Sequence, residues 1–169
     1  MLDLLCPDVY LESIYELDLN KLKRKGISGI ITDLDNTLIA WNDNTIYPKL
    51  AEWFKILKEE NFKVCIVSNN SRGRVKIFSD MLEIPAVPKA VKPRRKAFRA
   101  ALDKMGLQPN EAAVVGDQLF TDVLGGNRLG LFTVLVIPVS EREFIGTRFV
   151  RKIERWVLKK LQHKGLLQM

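Results

Sequence analysis

Four short apolar runs, at positions 27–32, 64–67, 86–88 and 112–115, each lead into polar or charged residues. The first leads into Asp33-Leu34-Asp35-Asn36-Thr37-Leu38 and the second into Ser68-Asn69-Asn70. The third leads to Lys92-Pro93, and the fourth into Gly116-Asp117-Gln118 with Thr121-Asp122 close behind. Runs of this length, separated by segments of helical periodicity, predict an α/β fold built on a parallel sheet with helices on both faces. In such a sheet the carboxyl ends of the strands lie side by side. Residues spread over 90 positions, from Asp33 to Asp122, therefore converge on one crevice.

The first of these segments carries the strongest chemical signal. In an extended chain residues i and i+2 point the same way, so Asp33 and Asp35 can reach one reaction centre. Two carboxylates at the end of a buried strand repel one another and need a cation or a proton to coexist. An Asp-Asn turn after a strand is the simpler reading of the same residues. Ser68-Asn69-Asn70 alone could be a helix N-cap, Lys92 a solvated loop charge and Asp117 a turn residue after Gly116. Their joint occurrence, in order, argues for a site.

Between these segments, Pro48 opens a helix with Leu50, Trp53, Phe54 and Leu57 at helical spacing. Positions 74–82 form a helix with Val75, Phe78, Met81 and Leu82 inward. Pro93 opens another through Met105, with Phe98, Ala101, Leu102 and Met105 inward and Gly106 as its C-cap. Positions 119–129 read as helix, Gly125 and Gly126 allowing close packing on the sheet. Positions 131–137 form a fifth strand ended by Pro138, and positions 18–26 a short covering helix. No linker divides the 169 residues, which suit a single domain with a core at about 20–140 and a basic amphipathic helix at about 147–164.

Asp33-x-Asp35-x-Thr37, Ser68, Lys92 and Gly116-Asp117-x-x-x-Thr121-Asp122 resemble, in order, the four motifs of the haloacid dehalogenase superfamily. The second aspartate of the first motif is similar to the phosphatase branch. Asp-Asn-Thr-Leu and Lys-Pro resemble its IIIA subfamily. Gly-Asp-Gln-Leu-Phe-Thr-Asp-Val with Gly-Gly-Asn-Arg-Leu-Gly resembles the bacterial YqeG family, itself similar to mitochondrial phosphatidylglycerophosphate phosphatases.

The resemblance implies a three-layer α/β/α, Rossmann-like fold with a five-stranded parallel sheet. Only 29 residues separate Leu38 from Ser68 and 23 separate Ser68 from Lys92, too few for a cap domain. It further implies hydrolysis of a phosphate monoester through an aspartyl-phosphate. Asp33 is then the nucleophile and Asp35 the general acid and base, with a pKa raised relative to Asp33. Mg²⁺ is held by Asp33, Asp117 and the backbone carbonyl of Asp35. Ser68 and the N–H of Asn69 bind phosphoryl oxygens, and Lys92 supplies positive charge. Thr37 belongs to the substrate-binding group and fixes the turn, while Asp122 orients Lys92 or a metal-bound water. Trp41, on a flap beside the crevice, either faces substrate or packs.

Composition narrows the setting. The two cysteines, Cys6 and Cys65, lack metal-ligand spacing and fit a reducing cytoplasm; Cys65 reads as an inert buried thiol. The N-terminus has neither a basic start nor a long apolar core, so it does not read as a signal peptide, and no window is apolar enough to span a bilayer. The net charge of +7 favours anionic partners. Within 148–164, Phe149, Val150, Ile153, Trp156, Val157 and Leu161 share a face, and Arg148, Arg151, Lys152, Arg155, Lys159 and Lys160 cover much of the rest. Such a helix either packs on the sheet or lies on an anionic bilayer, and the two can coexist. His163, the single histidine, reads as a surface residue. The leading expectation is a phosphatidylglycerophosphate phosphatase at the inner membrane face. The alternatives are a soluble phosphatase of sugar phosphates, nucleotides or phosphoproteins, and a basic nucleic-acid- or ribosome-associated protein. No RNA-binding motif or aromatic platform supports the last.

Overall fold

Strand β2 (Gly29–Thr32) is buried along its whole length and lies at the middle of the sheet. The computed structural model describes residues 2–140 and 145–167. β2 is flanked by β3 (Lys63–Val67) and β5 (Ala112–Gly116), each paired with it in parallel from Gly29 onward. Strand β4 (Ala86–Val87) extends the sheet beyond β3, and β6 (Phe132–Val136) extends it beyond β5. The chain thus winds outward from β2 in both directions, which makes the carboxyl end of β2 the switch point where a crevice opens.

A sixth strand completes the sheet. β1 (Val9–Leu11) pairs in parallel with β6, giving the order β1-β6-β5-β2-β3-β4. The sequence expectation was five strands. β1 is three residues long, below the length at which alternation shows, and is defined by its partner rather than by its own pattern. Asp8 fixes its register, accepting from the Thr133 N–H at 2.7 Å while its own N–H donates to Thr133 Oγ1 at 3.1 Å.

The two faces follow from strand alternation. Ile30, Val64, Ile66, Ala113 and Val115 face a layer formed by α1 (Leu19–Arg24), α2 (Pro48–Glu59) and α3 (Arg72–Leu82). Ile31, Cys65, Val67, Ala112 and Val114 face α4 (Arg95–Met105). The expected inward residues of α2 and α4 are buried, as are Val75 and Phe78 of α3. Met81 departs from expectation and is exposed, because Val75, Phe78 and Leu82 already complete one stripe at i, i+3, i+7. Helix α4 begins two residues beyond Pro93, which lies in the turn that delivers Lys92.

Positions 119–129 are not one regular helix. A π-helical turn at Leu119–Val123 precedes α5 (Leu124–Asn127). The glycines are used as expected: a Cβ on Gly125 would lie 2.3 Å from the Phe98 ring, and one on Gly126 2.4 Å from Val114 Cγ1. Helix α6 (Ile145–His163) seats Val157 and Leu161 against Leu119, Val123 and Leu135. Phe149, Ile153 and Trp156 stay exposed, so the apolar residues of this helix divide between core and solvent. The side chain of Arg148 lies outside the described residues. No cap intervenes between Leu38 and Ser68, where α2 and β3 occupy the chain, or between Ser68 and Lys92, where α3 and β4 do.

Candidate active site

The Asp33 N–H donates to the Val115 carbonyl at 3.0 Å, prolonging the β2–β5 pairing by one residue and placing the carboxylate just past the strand end. The chain then turns through Asn36, whose φ of 62° lies in the left-handed region that asparagine tolerates better than most residues. Asp33, Asp35, Trp41, Ser68, Asn69 and Lys92 line one open cavity of about 600 Å³ above this switch point. The four motif segments therefore meet, and Trp41 stands at the rim, 39% exposed.

Lys92 lies at the centre of the charge arrangement. Its Nζ is 2.8 Å from Asp33 Oδ1 and 2.7 Å from Asp122 Oδ1, with the Lys92 side chain only 2% exposed. An ammonium this deep would lose its proton unless carboxylates held it; Asp122 and Asp33 outweigh burial and raise its pKa. The Lys92 N–H donates to Asn69 Oδ1 at 2.7 Å, so the residue after Ser68 fixes the lysine loop. Ser68 is buried, and its Oγ accepts from the Asn70 N–H at 3.1 Å. The N-cap of α3 is Ser71, three residues further on, which leaves Ser68 to the crevice.

Asp33, Asp117 and Asp122 are all buried, and each offers an oxygen within 4.8 Å of the others. Burial pushes the Asp33 carboxyl up to about 8, with Lys92 pulling down and Asp122 and Asp117 pushing up. Asp117 rises for the same leading reason, burial, opposed first by Arg151. Asp33 and Asp117 are thus both raised, each sealed away from water beside other carboxylates.

A cluster of oxygen-only donors, rich in charge and short of counter-charge, suits a hard divalent cation such as Mg²⁺. The Asp35 carboxylate is not part of this cluster. Asp122 is spatially part of it, yet its Oδ1 is already occupied by Lys92.

The Thr37 side chain is not among those lining the crevice. Its Oγ1 donates to Asp117 Oδ1 at 3.0 Å in a fully buried contact, which ties the first motif to the fourth.

Two arginines complete the site that the motifs alone do not include. Arg74 Nε donates to Asp35 Oδ1 at 2.7 Å, and Asn70 Nδ2 to Asp35 Oδ2 at 2.9 Å. The same guanidinium reaches Asn44 Oδ1 at 2.6 Å and the Ala40 carbonyl at 3.1 Å, joining Asp35 to the flap. Arg74 sits in the first turn of α3, where a cation opposes the helix dipole; that is a legible sign that it serves a partner elsewhere. From α6, Arg151 donates to both the carboxylate Oδ2 and the backbone carbonyl of Asp117. Glu154, buried one turn on, accepts from the Leu119 N–H at 2.7 Å and from Arg151 at 3.0 Å. Glu154 is the single acidic residue in the basic stretch 148–164, and that isolation is the corresponding sign in the sequence.

Known proteins give the same picture. Residues 7–130 match the model of the haloacid dehalogenase-like hydrolases. The chain is 49% identical over 162 residues to a probable phosphatase, YqeG, of Bacillus subtilis, covering 96% of this chain and 94% of that protein. It is 33% identical over 171 residues to a chloroplastic/mitochondrial phosphatidylglycerophosphate phosphatase of Arabidopsis thaliana, covering 95% of this chain but spanning only 49% of that longer protein. The fold is shared with the cobalt-bound deoxy-D-mannose-octulosonate 8-phosphate phosphatase of Haemophilus influenzae. There the TM-score is 0.53 and the identity 16%, over 85% of this chain and 92% of that one. With its crevice at the switch point and its four motif segments gathered there, the chain belongs to the haloacid dehalogenase-like hydrolases, as one of their phosphatases.

Proposed function

We propose that this phosphatase hydrolyses the phosphate monoester of an anionic phospholipid headgroup, most specifically phosphatidylglycerophosphate, at the cytoplasmic face of a membrane. The observation that carries the chemistry is the convergence of Asp33, Asp35, Ser68 and Lys92 on one open crevice. Asp33 attacks phosphorus in line, forming an Asp33 O–P bond as the bond to the leaving alkoxide breaks. Asp35, aimed by Arg74 and Asn70, gives the alkoxide its proton. Asp35 then takes a proton from water as that water attacks phosphorus, and the Asp33 O–P bond breaks to regenerate the carboxylate. Lys92 and the Ser68 hydroxyl neutralise and orient the phosphoryl oxygens. Asp33, Asp117 and the Asp35 carbonyl would hold Mg²⁺, which would supply charge stabilisation for the phosphoryl group. The sequence also reads as one domain, of which α6 is part.

Support for the lipid comes from the surface and from the relative in Arabidopsis. Among the described residues no cap covers the crevice, so a headgroup projecting from a bilayer can enter it. α6 exposes Phe149, Ile153 and Trp156 beside Lys152, Arg155, Lys159 and Lys160, and its acidic residue is buried. Aromatic and cationic side chains on one exposed surface suit an anionic interface. No helix among the described residues is long and apolar enough to cross a membrane, so contact of this kind is peripheral.

The test is phosphate release from phosphatidylglycerophosphate, phosphatidic acid and soluble monoesters, with and without Mg²⁺, for the wild type and Asp33→Asn. Preferential, Mg²⁺-dependent turnover of phosphatidylglycerophosphate in anionic vesicles, lost in Asp33→Asn, is expected. Equal or better turnover of soluble monoesters without vesicle binding overturns the lipid assignment, and activity surviving in Asp33→Asn overturns the nucleophile.

A further inference from the structure

Asp117 is held by Arg151, brought from a helix that follows all four motifs, and belongs to the aspartate cluster that suits a divalent ion. Arg151 holds both the carboxylate Oδ2 and the backbone carbonyl of Asp117, and Asp117 Oδ1 is engaged by Thr37. The carboxylate is wholly buried and Arg151 is largely so, which leaves little solvent to screen the two positive charges from each other. Glu154, three residues along α6, gives the guanidinium a second anionic acceptor at 3.0 Å. Arg151 can therefore yield Asp117 without becoming an unpaired buried charge.

We infer that Arg151 is a positioning residue that competes with the divalent ion for Asp117 and so sets the metal affinity of the site. This rests on the reading of Asp117 as a metal ligand. Arg151 keeps the Asp117 carboxylate aimed. A bound divalent ion would compete for that carboxylate, and the guanidinium would keep Glu154 as its acceptor. Because α6 is anchored by Val157 and Leu161 below Arg151, any shift of the guanidinium is confined to the first turns of the helix. Linkage makes the effect reciprocal: whatever loosens those turns favours the metal, and the metal loosens those turns.

The experiment is calorimetric titration of the full chain with Mg²⁺ alone, for wild type, Arg151→Leu, Arg151→Lys and Asp117→Asn. Removing one unit of positive charge beside the site should tighten Mg²⁺ binding about tenfold in Arg151→Leu. Arg151→Lys, which keeps the charge but loses the fork, should fall between it and wild type. Equal or weaker binding by Arg151→Leu overturns the competition. A second measurement decides if that variant does not fold: backbone hydrogen exchange of positions 149–156 in the wild type should speed up at saturating Mg²⁺, and unchanged or slower exchange overturns it. Asp117→Asn separates the premise from the inference. Wild-type Mg²⁺ affinity there means that Asp117 is not a ligand, whatever Arg151 does.

Discussion

Lys92 Nζ donates to Asp122 Oδ1 at 2.7 Å, with each side chain 2% exposed. The lysine ammonium is also 2.8 Å from Asp33, so Asp122 determines where the positive charge stands relative to the proposed nucleophile. Removing one partner of a buried pair leaves an uncompensated charge, which typically costs about 3–5 kcal/mol. Asp122→Ala should approach the lower end of that range, because Asp33 still holds Lys92, and should lose activity disproportionately. Chemical denaturation beside steady-state kinetics measures both; full activity in a destabilised Asp122→Ala would refute the orienting role.

Gly116 makes the same point through sterics. A Cβ there would stand 2.2 Å from Asp122 Cγ and 2.4 Å from Asp122 Oδ2, inside any tolerable contact. Gly116→Ala must therefore displace Asp122, and kcat should fall at least tenfold while the sheet survives. Activity equal to wild type would mean that the Asp122 position is adjustable.

Arg74 aims Asp35 and ties it to the flap at Ala40 and Asn44. Misplacing a reacting group by about 1 Å can cost on the order of a hundredfold in rate. Arg74→Ala should lower kcat by about 10- to 100-fold, the range expected for lost orientation. Arg74→Lys should restore little, because the guanidinium fork makes three contacts that an ammonium cannot.

The buried carboxylates give stability a definite pH dependence. The Asp33 pKa is raised to about 8 and that of Asp117 to about 6 by burial, so the folded chain binds more protons than the unfolded chain between their ordinary values and these. Stability from these groups is complete below the ordinary carboxylate range and is lost as pH rises through the raised values. In a chelator, Tm should therefore fall from pH 5 to pH 8.5, and Mg²⁺ should flatten the fall by replacing the protons. A Tm that rises across this window in chelator would contradict the cluster electrostatics.

The divided face of α6 predicts two unlike outcomes. Leu161 is fully buried and Trp156 is 60% exposed. Leu161→Ala should destabilise by about 2–5 kcal/mol, as buried leucine truncations do. Trp156→Ser should stay within about 0.5 kcal/mol of wild type, as exposed substitutions do. Sedimentation with anionic vesicles should show the reverse ranking, Trp156→Ser losing binding and Leu161→Ala keeping it below its Tm.

The motif residues were legible because each signal is local: a run of apolar residues gives a strand, and the next polar side chain lands at its carboxyl end. Asp33, Ser68, Lys92 and Asp117 could be placed together on that basis. The inward residues of α2 and α4 were equally readable from helical spacing. What escaped is tertiary in origin. β1 is a strand only because β6 offers it an edge. Arg74 and Arg151 lie on helices, where a basic residue ordinarily meets solvent, and their aspartate partners are 39 and 34 positions away. Proline misled once, since Pro48 opens α2 but Pro93 stands in a turn ahead of α4. The bond from the Thr37 hydroxyl to Asp117, 80 positions away, is likewise set by the fold rather than by any local pattern.

Segments 2–11 and 145–167 meet at one sheet edge, where Leu2, Leu5, Cys6 and Tyr10 pack with Val157, Leu161 and Leu167. A ribosome makes the first of these long before the second. That seam can be sealed only once α6 has emerged, and with it come Arg151 and Glu154. A nascent chain halted before this point would already hold every hallmark aspartate, yet Asp117 would still lack the guanidinium that grips it.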